Sequence, residues 1–209
     1  VYKMKITLIN PPTPHLELFS LGLTVPPLGL AYLAAVLEEK GHSVRIIDAS
    51  ALNMSLREIE EKIRKEDPQI VGVTSTTPSI NEALAIIRVA KKVCPNAVTI
   101  LGGPHVTFLP IETLNKCKEL DAVCIGEGEM TMADFAQAVE HGKSLSRVKG
   151  IIYRDGERIV RTPPRPLISN LDSLPFPARR LLPMDKYKLS LIHISEPTRP
   201  LYNSYAVFC

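Results

Sequence analysis

Two rhythms of apolar and polar positions alternate along this chain. Short runs of four or five mostly apolar residues recur at 5–9, 44–48, 70–74, 98–101 and 122–125. Such runs suit strands buried on both faces of a parallel sheet. Between them lie stretches with helical spacing, at 27–40, 55–65, from 79 onward, 111–116 and 129–141. In the third of these, Ile80, Leu84, Ile87 and Ala90 share one face. The punctuation agrees. Pro27 suits a first helical position, Lys40 complements the C-terminal dipole, and Gly41 supplies a left-handed C′ residue. Ser55 with Glu58, and Ser79 with Glu82, both have capping-box spacing.

Strand and helix therefore alternate five times in about 140 residues, the signature of a doubly wound sheet. Right-handed crossovers fold such a chain into three layers. The expected fold is α/β and flavodoxin-like (Rossmann-like), with a five-stranded parallel sheet in the order 2-1-3-4-5. That order puts its switch point between the first and third strands. The character changes after Gly142. Residues 150–160 read as a β-hairpin around Asp155-Gly156, and 161–183, rich in Pro and Arg, read as an extended linker. The expected division is 1–142 for the α/β domain and 143–188 for the hairpin and linker.

Composition narrows the class of function. With 45% hydrophobic and 22% charged residues, the 209-residue chain has the make-up of a globular protein. A net charge of +3 without a Lys/Arg run does not suggest nucleic acid. No apolar run reaches the ~18 residues of a membrane span, and nothing near Val1 resembles a secretory signal. Four irregularly spaced cysteines offer no disulfide framework and point to a reducing cytoplasm. Cys117 and Cys124 lie too far apart for a short chelating pair.

Three loops carry the candidate chemistry. They are Thr74-Ser75-Thr76-Thr77, Gly102-Gly103-Pro104-His105 and Gly126-Glu127-Gly128-Glu129, each directly after a strand. A parallel sheet gathers them at the carboxyl ends of its strands, where open α/β sheets bind ligands. Their small residues suit a broad ligand lying close to backbone. Ser75 and Thr77 offer hydroxyls, or else Thr76 and Thr77 cap the following helix. His105 touches the ligand or caps its helix. Glu127 either bonds a ligand amide or favours a helix N-terminus, and Glu129 reads as the helix-terminal residue. His42, just after a helix C-cap, reads as plain surface. Asp48 ends the second strand, where a dinucleotide fold carries its ribose carboxylate, but no GxGxxG follows the first strand.

The set Pro26-Pro27-Leu28-Gly29-Leu30, Gly41-His42, Gly102-Gly103-Pro104-His105, Gly126-Glu127-Gly128-Glu129 and Leu171-Asp172-Ser173-Leu174-Pro175-Phe176-Pro177 resembles the N-terminal cobalamin (B12)-binding domain of B12-dependent radical SAM enzymes. The resemblance covers about residues 3–187. It implies cobalamin held by Ser75, Thr76, Thr77, Gly102, Gly103, Pro104, His105, Gly126, Glu127 and Gly128, with no catalytic residue in this domain. It also implies a partner, a following radical SAM barrel with a 4Fe–4S cluster and S-adenosylmethionine, acting in methyl transfer or other radical chemistry on carbon.

Two departures matter. B12 domains of the methionine-synthase type carry Asp-x-His-x-x-Gly after the first strand, and that His ligates cobalt. Here His15 stands in Thr13-Pro14-His15-Leu16-Glu17-Leu18, without that Asp or Gly, so no protein ligand to the metal is expected. No CxxxCxxC occurs either. From Leu189 the resemblance stops. Leu189-Ser190-Leu191-Ile192-His193-Ile194-Ser195-Glu196-Pro197-Thr198-Arg199 resembles translated sequencing-adapter DNA, as does Ser204-Tyr205-Ala206-Val207-Phe208-Cys209, so 189–209 is expected to be a non-native tail. Two other readings stand beside the first. One is a relic of this lineage that binds no cobalamin and serves as a docking or substrate-positioning module. The other is a flavodoxin-like FMN or receiver domain, but this sequence has neither the Ser/Thr-rich phosphate loop directly after the first strand that FMN binding wants nor the acidic cluster and phosphoacceptor of a receiver.

Overall fold

The computed structural model describes residues 3–12 and 25–187. Five parallel strands, β1 (Lys5–Asn10), β2 (Ser43–Asp48), β3 (Ile70–Thr74), β4 (Val98–Gly102) and β5 (Ala122–Cys124), form the body of one sheet. The hairpin β6 (Ile151–Asp155) and β7 (Arg158–Arg161) completes it, in the order β2-β1-β3-β4-β5-β6-β7. The expected 2-1-3-4-5 order is present, with its switch between β1 and β3.

Side-chain alternation along the strands builds two cores, one on each face. Ile9, Val71, Val73, Leu101 and Val123 meet helices α2 (Leu56–Glu66), α3 (Ile80–Val93) and α5 (Pro110–Lys116). Ile6, Leu8, Ile70, Ile100 and Cys124 face the opposite layer, α1 (Leu28–Glu39) and α6 (Glu129–Glu140). A one-turn helix, α4 (Pro104–Phe108), follows Gly103 directly. No helix among the described residues is long and apolar enough to cross a membrane.

Local signals explain most element ends. Ser55 and Glu58 form the expected reciprocal cap of α2. The end of α1 is a Schellman motif. Gly41, at φ +88°, donates to Glu38 O, and His42 N donates to Leu37 O. Pro27 sits one position earlier than expected, at the N-cap of α1. The second expected box does not form between Ser79 and Glu82. Ser79 Oγ instead accepts from Thr76 N at 3.0 Å, closing a 3₁₀ turn over Thr77–Ser79 before α3 starts.

The five parallel strands are as expected, and the hairpin extends their sheet to seven strands because β6 pairs antiparallel with β5 and covers what would be an open edge. Two further expectations need correction. His42 is not on the surface. As the C″ residue of the Schellman turn it is 3% exposed, and its Nδ1 is buried without a hydrogen-bond partner among the described residues. Burial pushes its imidazole pKa down, against the opposing pull of Glu140.

Residues 162–187 are not a free linker either. They run back across the α6–α1 face as a strap. Arg165 pairs with Asp134, and its Nε donates to Thr131 Oγ1 at 2.9 Å. Ala178 is buried and its N–H donates to Ala31 O at 2.9 Å. The Arg180 guanidinium lies 2.5 Å from Glu38. Finally the Tyr187 hydroxyl donates to Asp48 Oδ2 at 2.7 Å, at the end of β2 on the opposite edge of the sheet from the hairpin. Asp48, 1% exposed, also accepts from Asn10 Nδ2 and Ala51 N, so its buried carboxylate is fully hydrogen-bonded.

Candidate cofactor site at the strand ends

The carboxyl ends of β3, β4 and β5 come together as one bonded edge. Ser75 N donates to Gly102 O at 2.9 Å, and Ser75 Oγ donates to the same oxygen at 3.0 Å. His105 N returns a bond to Ser75 O at 3.3 Å. Thr107 Oγ1 donates to Gly103 O and accepts from Gly126 N, tying the β4 loop to the β5 loop. Such closeness needs Gly103. It sits at φ +97°, and a Cβ there would lie 2.5 Å from Ser75 O.

Behind this edge a cavity of about 240 Å³ opens between α1, α6 and the sheet. Leu8, Leu33, Ile100 and Met132 form much of its wall. Gly72 lies mid-strand beneath it, where a Cβ would meet Leu8 Cδ2 at 2.9 Å. Gly29, Gly102 and Gly126 also line it. A Cβ at Gly102 would find only Cys124 Cβ at 4.0 Å, and at Gly29 or Gly126 nothing within 4 Å. Side chains at these positions would take up the cavity itself. Burial pushes the Cys124 thiol up to about 12, so it stays neutral and acts as apolar lining. Thr74, Glu127 and Glu129 supply the polar rim.

A profile of the B12 binding domain matches residues 15–136. The chain belongs to the B12-binding domain family. Over 88% of its length it is 44% identical to an uncharacterised methyltransferase of Pyrococcus horikoshii, and it spans 40% of that protein. It is 38% identical over 78% of its length to the anaerobic magnesium-protoporphyrin IX monomethyl ester cyclase of Rubrivivax gelatinosus, spanning 30% of it. In fold it is similar to the cobalamin-dependent S-adenosylmethionine radical enzyme OxsB, solved with aqua-cobalamin and S-adenosylmethionine. That match has a TM-score of 0.71 at 19% identity and covers 84% of this chain and 24% of that one. The radical S-adenosylmethionine methyltransferase TsrM of Kitasatospora setae, solved with cobalamin and a 4Fe–4S cluster, matches at TM-score 0.67 and 21% identity. There 84% of this chain and 31% of that one are covered.

Within this B12-binding domain nine of the ten expected contact residues divide into two groups. Gly102, Gly103, Gly126, Glu127 and Gly128 line the cavity. Thr76, Thr77, Pro104 and His105 form a shelf on the same edge, outside it. Thr76, Thr77 and Pro104 are exposed, and His105 Nδ1 lies 3.2 Å from Thr77 Oγ1. Ser75 belongs to neither group, being fully buried with its hydroxyl spent on Gly102 O. Glu127 Oε2 accepts from Ile168 N at 2.8 Å, so this carboxylate holds the strap. Glu129 opens α6 in its first turn, where a negative charge suits the helix dipole. His15 and residues 189–209 lie outside the described residues. Among the described residues, no three His, Cys, Asp or Glu side chains are grouped to hold a metal ion.

Loop motifs alone did not reveal Leu8, Leu33, Ile100 and Met132, which give the cavity its depth. One usable signal was Gly72, a glycine inside an otherwise β-branched strand, which marks a close approach.

Proposed function

We propose that this domain holds cobalamin with the nucleotide tail in the cavity between α1 and α6 and the corrin over the shelf of Thr76, Thr77, Pro104 and His105. The observation that carries this reading is the glycine-lined cavity of about 240 Å³ opening at the strand ends. A tail base is flat and apolar over most of its surface, and the wall formed by Leu8, Leu33, Ile100 and Met132 suits it. Thr76 and Thr77 are exposed, and their hydroxyls, though already paired with Ser79 Oγ and His105 Nδ1, keep further hydrogen-bonding capacity for amide partners on a corrin rim. Bound cobalamin supplies a cobalt centre able to carry a methyl group. This chain's own residues bind and orient that group, and none of them is assigned a catalytic step.

The whole protein, in this proposal, is a B12-dependent radical SAM enzyme acting in methyl transfer or another radical functionalisation of carbon. Its 4Fe–4S cluster and S-adenosylmethionine belong to a further barrel domain, the partner of this one. Cys94, Cys117 and Cys124 are free thiols, as a cytoplasmic protein would have them.

The test is a visible-spectrum titration of the folded chain with hydroxocobalamin, followed by gel filtration. Co-elution of corrin with protein is the expected result, and His15→Ala should leave the spectrum of the reduced, bound cofactor unchanged. A folded, monodisperse sample that retains no corrin would overturn the proposal and favour a docking module instead.

A further inference from the structure

We infer that the cavity discriminates between cobamides by the polarity of their lower base, taking dimethylbenzimidazole and disfavouring adenine. The inference rests on the cobalamin reading above and concerns what the pocket floor can satisfy.

The tail base is tethered through its ribose and phosphate, so its far edge must reach the floor. That floor is Leu8, Gly72, Ile100 and Met132, with Cys124 beside them. Leu8, Ile100, Met132 and Cys124 are each at most 4% exposed, and none carries a side-chain nitrogen or oxygen. Backbone groups offer no substitute. Leu8 pairs with Gly72, and Gly72 with Ile100, in the parallel ladder, so their N–H and C=O groups serve the sheet. Cys124 holds its proton and is only a weak hydrogen-bond donor. Among the described residues, the polar side chains of the cavity, Thr74, Glu127 and Glu129, stand at the strand ends and the start of α6, which form the rim. Glu127 is already engaged by Ile168 N.

Both bases are two fused rings, so a cavity of about 240 Å³ does not separate them by size. Polarity does. Dimethylbenzimidazole presents two methyl groups to the floor. Adenine presents ring nitrogens and an exocyclic amine there, stripped of water with no partner among the described floor residues. An apolar pocket rejects an added polar group by a moderate factor, on the order of 10²-fold at most, because the cost is only that of desolvating the unmet group. Base release from cobalt works in the opposite direction. Adenine is the weaker cobalt ligand, so a site that required only a free tail would prefer it.

Equilibrium dialysis of the folded chain against cobalamin and against the adenine cobamide, read by corrin absorbance, tests the inference. We expect binding of the adenine form to be weaker by roughly thirtyfold, as about one to two unmet polar groups imply. Met132→Gln places an amide at the floor with little change in volume, and Cys124→Ser adds a hydroxyl beside it. Whichever variant keeps the wild-type far-UV spectrum should narrow the ratio to below about fivefold. Equal affinities, or a preference for adenine, overturn the inference and leave the cofactor reading standing. A ratio unchanged in a folded variant overturns the assignment to the floor. Retention of neither corrin overturns the cofactor reading and the inference with it.

Discussion

Gly103→Ala isolates the close approach that joins the β3 and β4 loops. The new Cβ would lie 2.5 Å from Ser75 O, 2.8 Å from Ser75 N and 2.9 Å from Thr74 Oγ1, on a residue at φ +97°. The backbone alone, at φ +97° and ψ 177° in a region open essentially to glycine, costs an L-residue about 1–2 kcal/mol. Relief of the contact requires the Ser75 backbone to retreat by roughly 1 Å towards ordinary carbon–oxygen separation. That retreat strains the bonds from Ser75 N and Oγ to Gly102 O, and from His105 N to Ser75 O. Loss of two of them at about 1 kcal/mol each brings the total to roughly 3–4 kcal/mol. That is a large share of the 5–15 kcal/mol that holds a typical domain together. Gly126→Ala is the comparison variant. It too has a positive φ, +74°, but no atom within 4 Å of the added Cβ, so only the backbone term of about 1 kcal/mol remains. Urea unfolding followed by far-UV circular dichroism measures both. Equal losses in the two variants, or a Gly103→Ala cost near 1 kcal/mol, would refute the argument that loop contact rather than dihedral preference requires this glycine.

Other residues give independent checks. Burial lowers the His42 pKa, so below about pH 6.5 the unfolded chain takes up a proton that the folded one resists. Stability should therefore fall through that acid window, and urea midpoints should show wild type losing ground to His42→Gln between pH 7.5 and 5.5. Tyr187 is the reverse case, because burial and the Asp48 carboxylate hold its phenol protonated well above the usual range. Its contribution is complete below about pH 10 and is lost as pH rises further, a loss that Tyr187→Phe should abolish in alkaline unfolding curves. Burial pushes the Cys117 thiol up to about 11 and Cys124 to about 12. Neither should react with iodoacetamide at pH 8 until urea unfolds the chain, as site-resolved mass spectrometry would read; rapid labelling of the native protein would contradict their burial.

The strand order and the meeting of three loops were legible because they follow from local pattern and from the handedness of crossovers. Runs such as Ile70-Val71-Gly72-Val73 announce a strand buried on both faces, and Ser55 with Glu58 announces a helix start. What stayed hidden depends on non-local pairing. Nothing in 150–161 says that Ile151, Ile152 and Tyr153 will pair with β5, although three buried positions in a row already argue against a solvent-facing hairpin. A proline-rich composition describes a stiff extended chain equally well whether it leads away or lies down. The strap lies down because Arg165, Ala178 and Arg180 each find a partner far away in sequence. Ser79 shows the limit of motif spacing. Its hydroxyl had two possible uses, and the turn at Thr77-Pro78 brought Thr76 N within reach first. Ser75 and Glu127 show the same limit at the site, where a polar side chain in a loop can serve the fold as readily as a ligand.

The strap also decides how the molecule carries load. Parallel strands pulled along their length resist in shear, with many bonds stretched together. Tension on the chain beyond Tyr187 does not reach β1–β5 in that way. It meets the Asp48–Tyr187 bond, then Arg180–Glu38, then the Ala178–Ala31 bond, then Ile168–Glu127 and Arg165–Asp134, one after another. Contacts in series peel at low force, each giving way before the next is loaded. The strap therefore gives way bond by bond, letting out about 25 residues of slack, up to ~3.5 Å each, before the pull reaches the β6–β7 hairpin and the sheet.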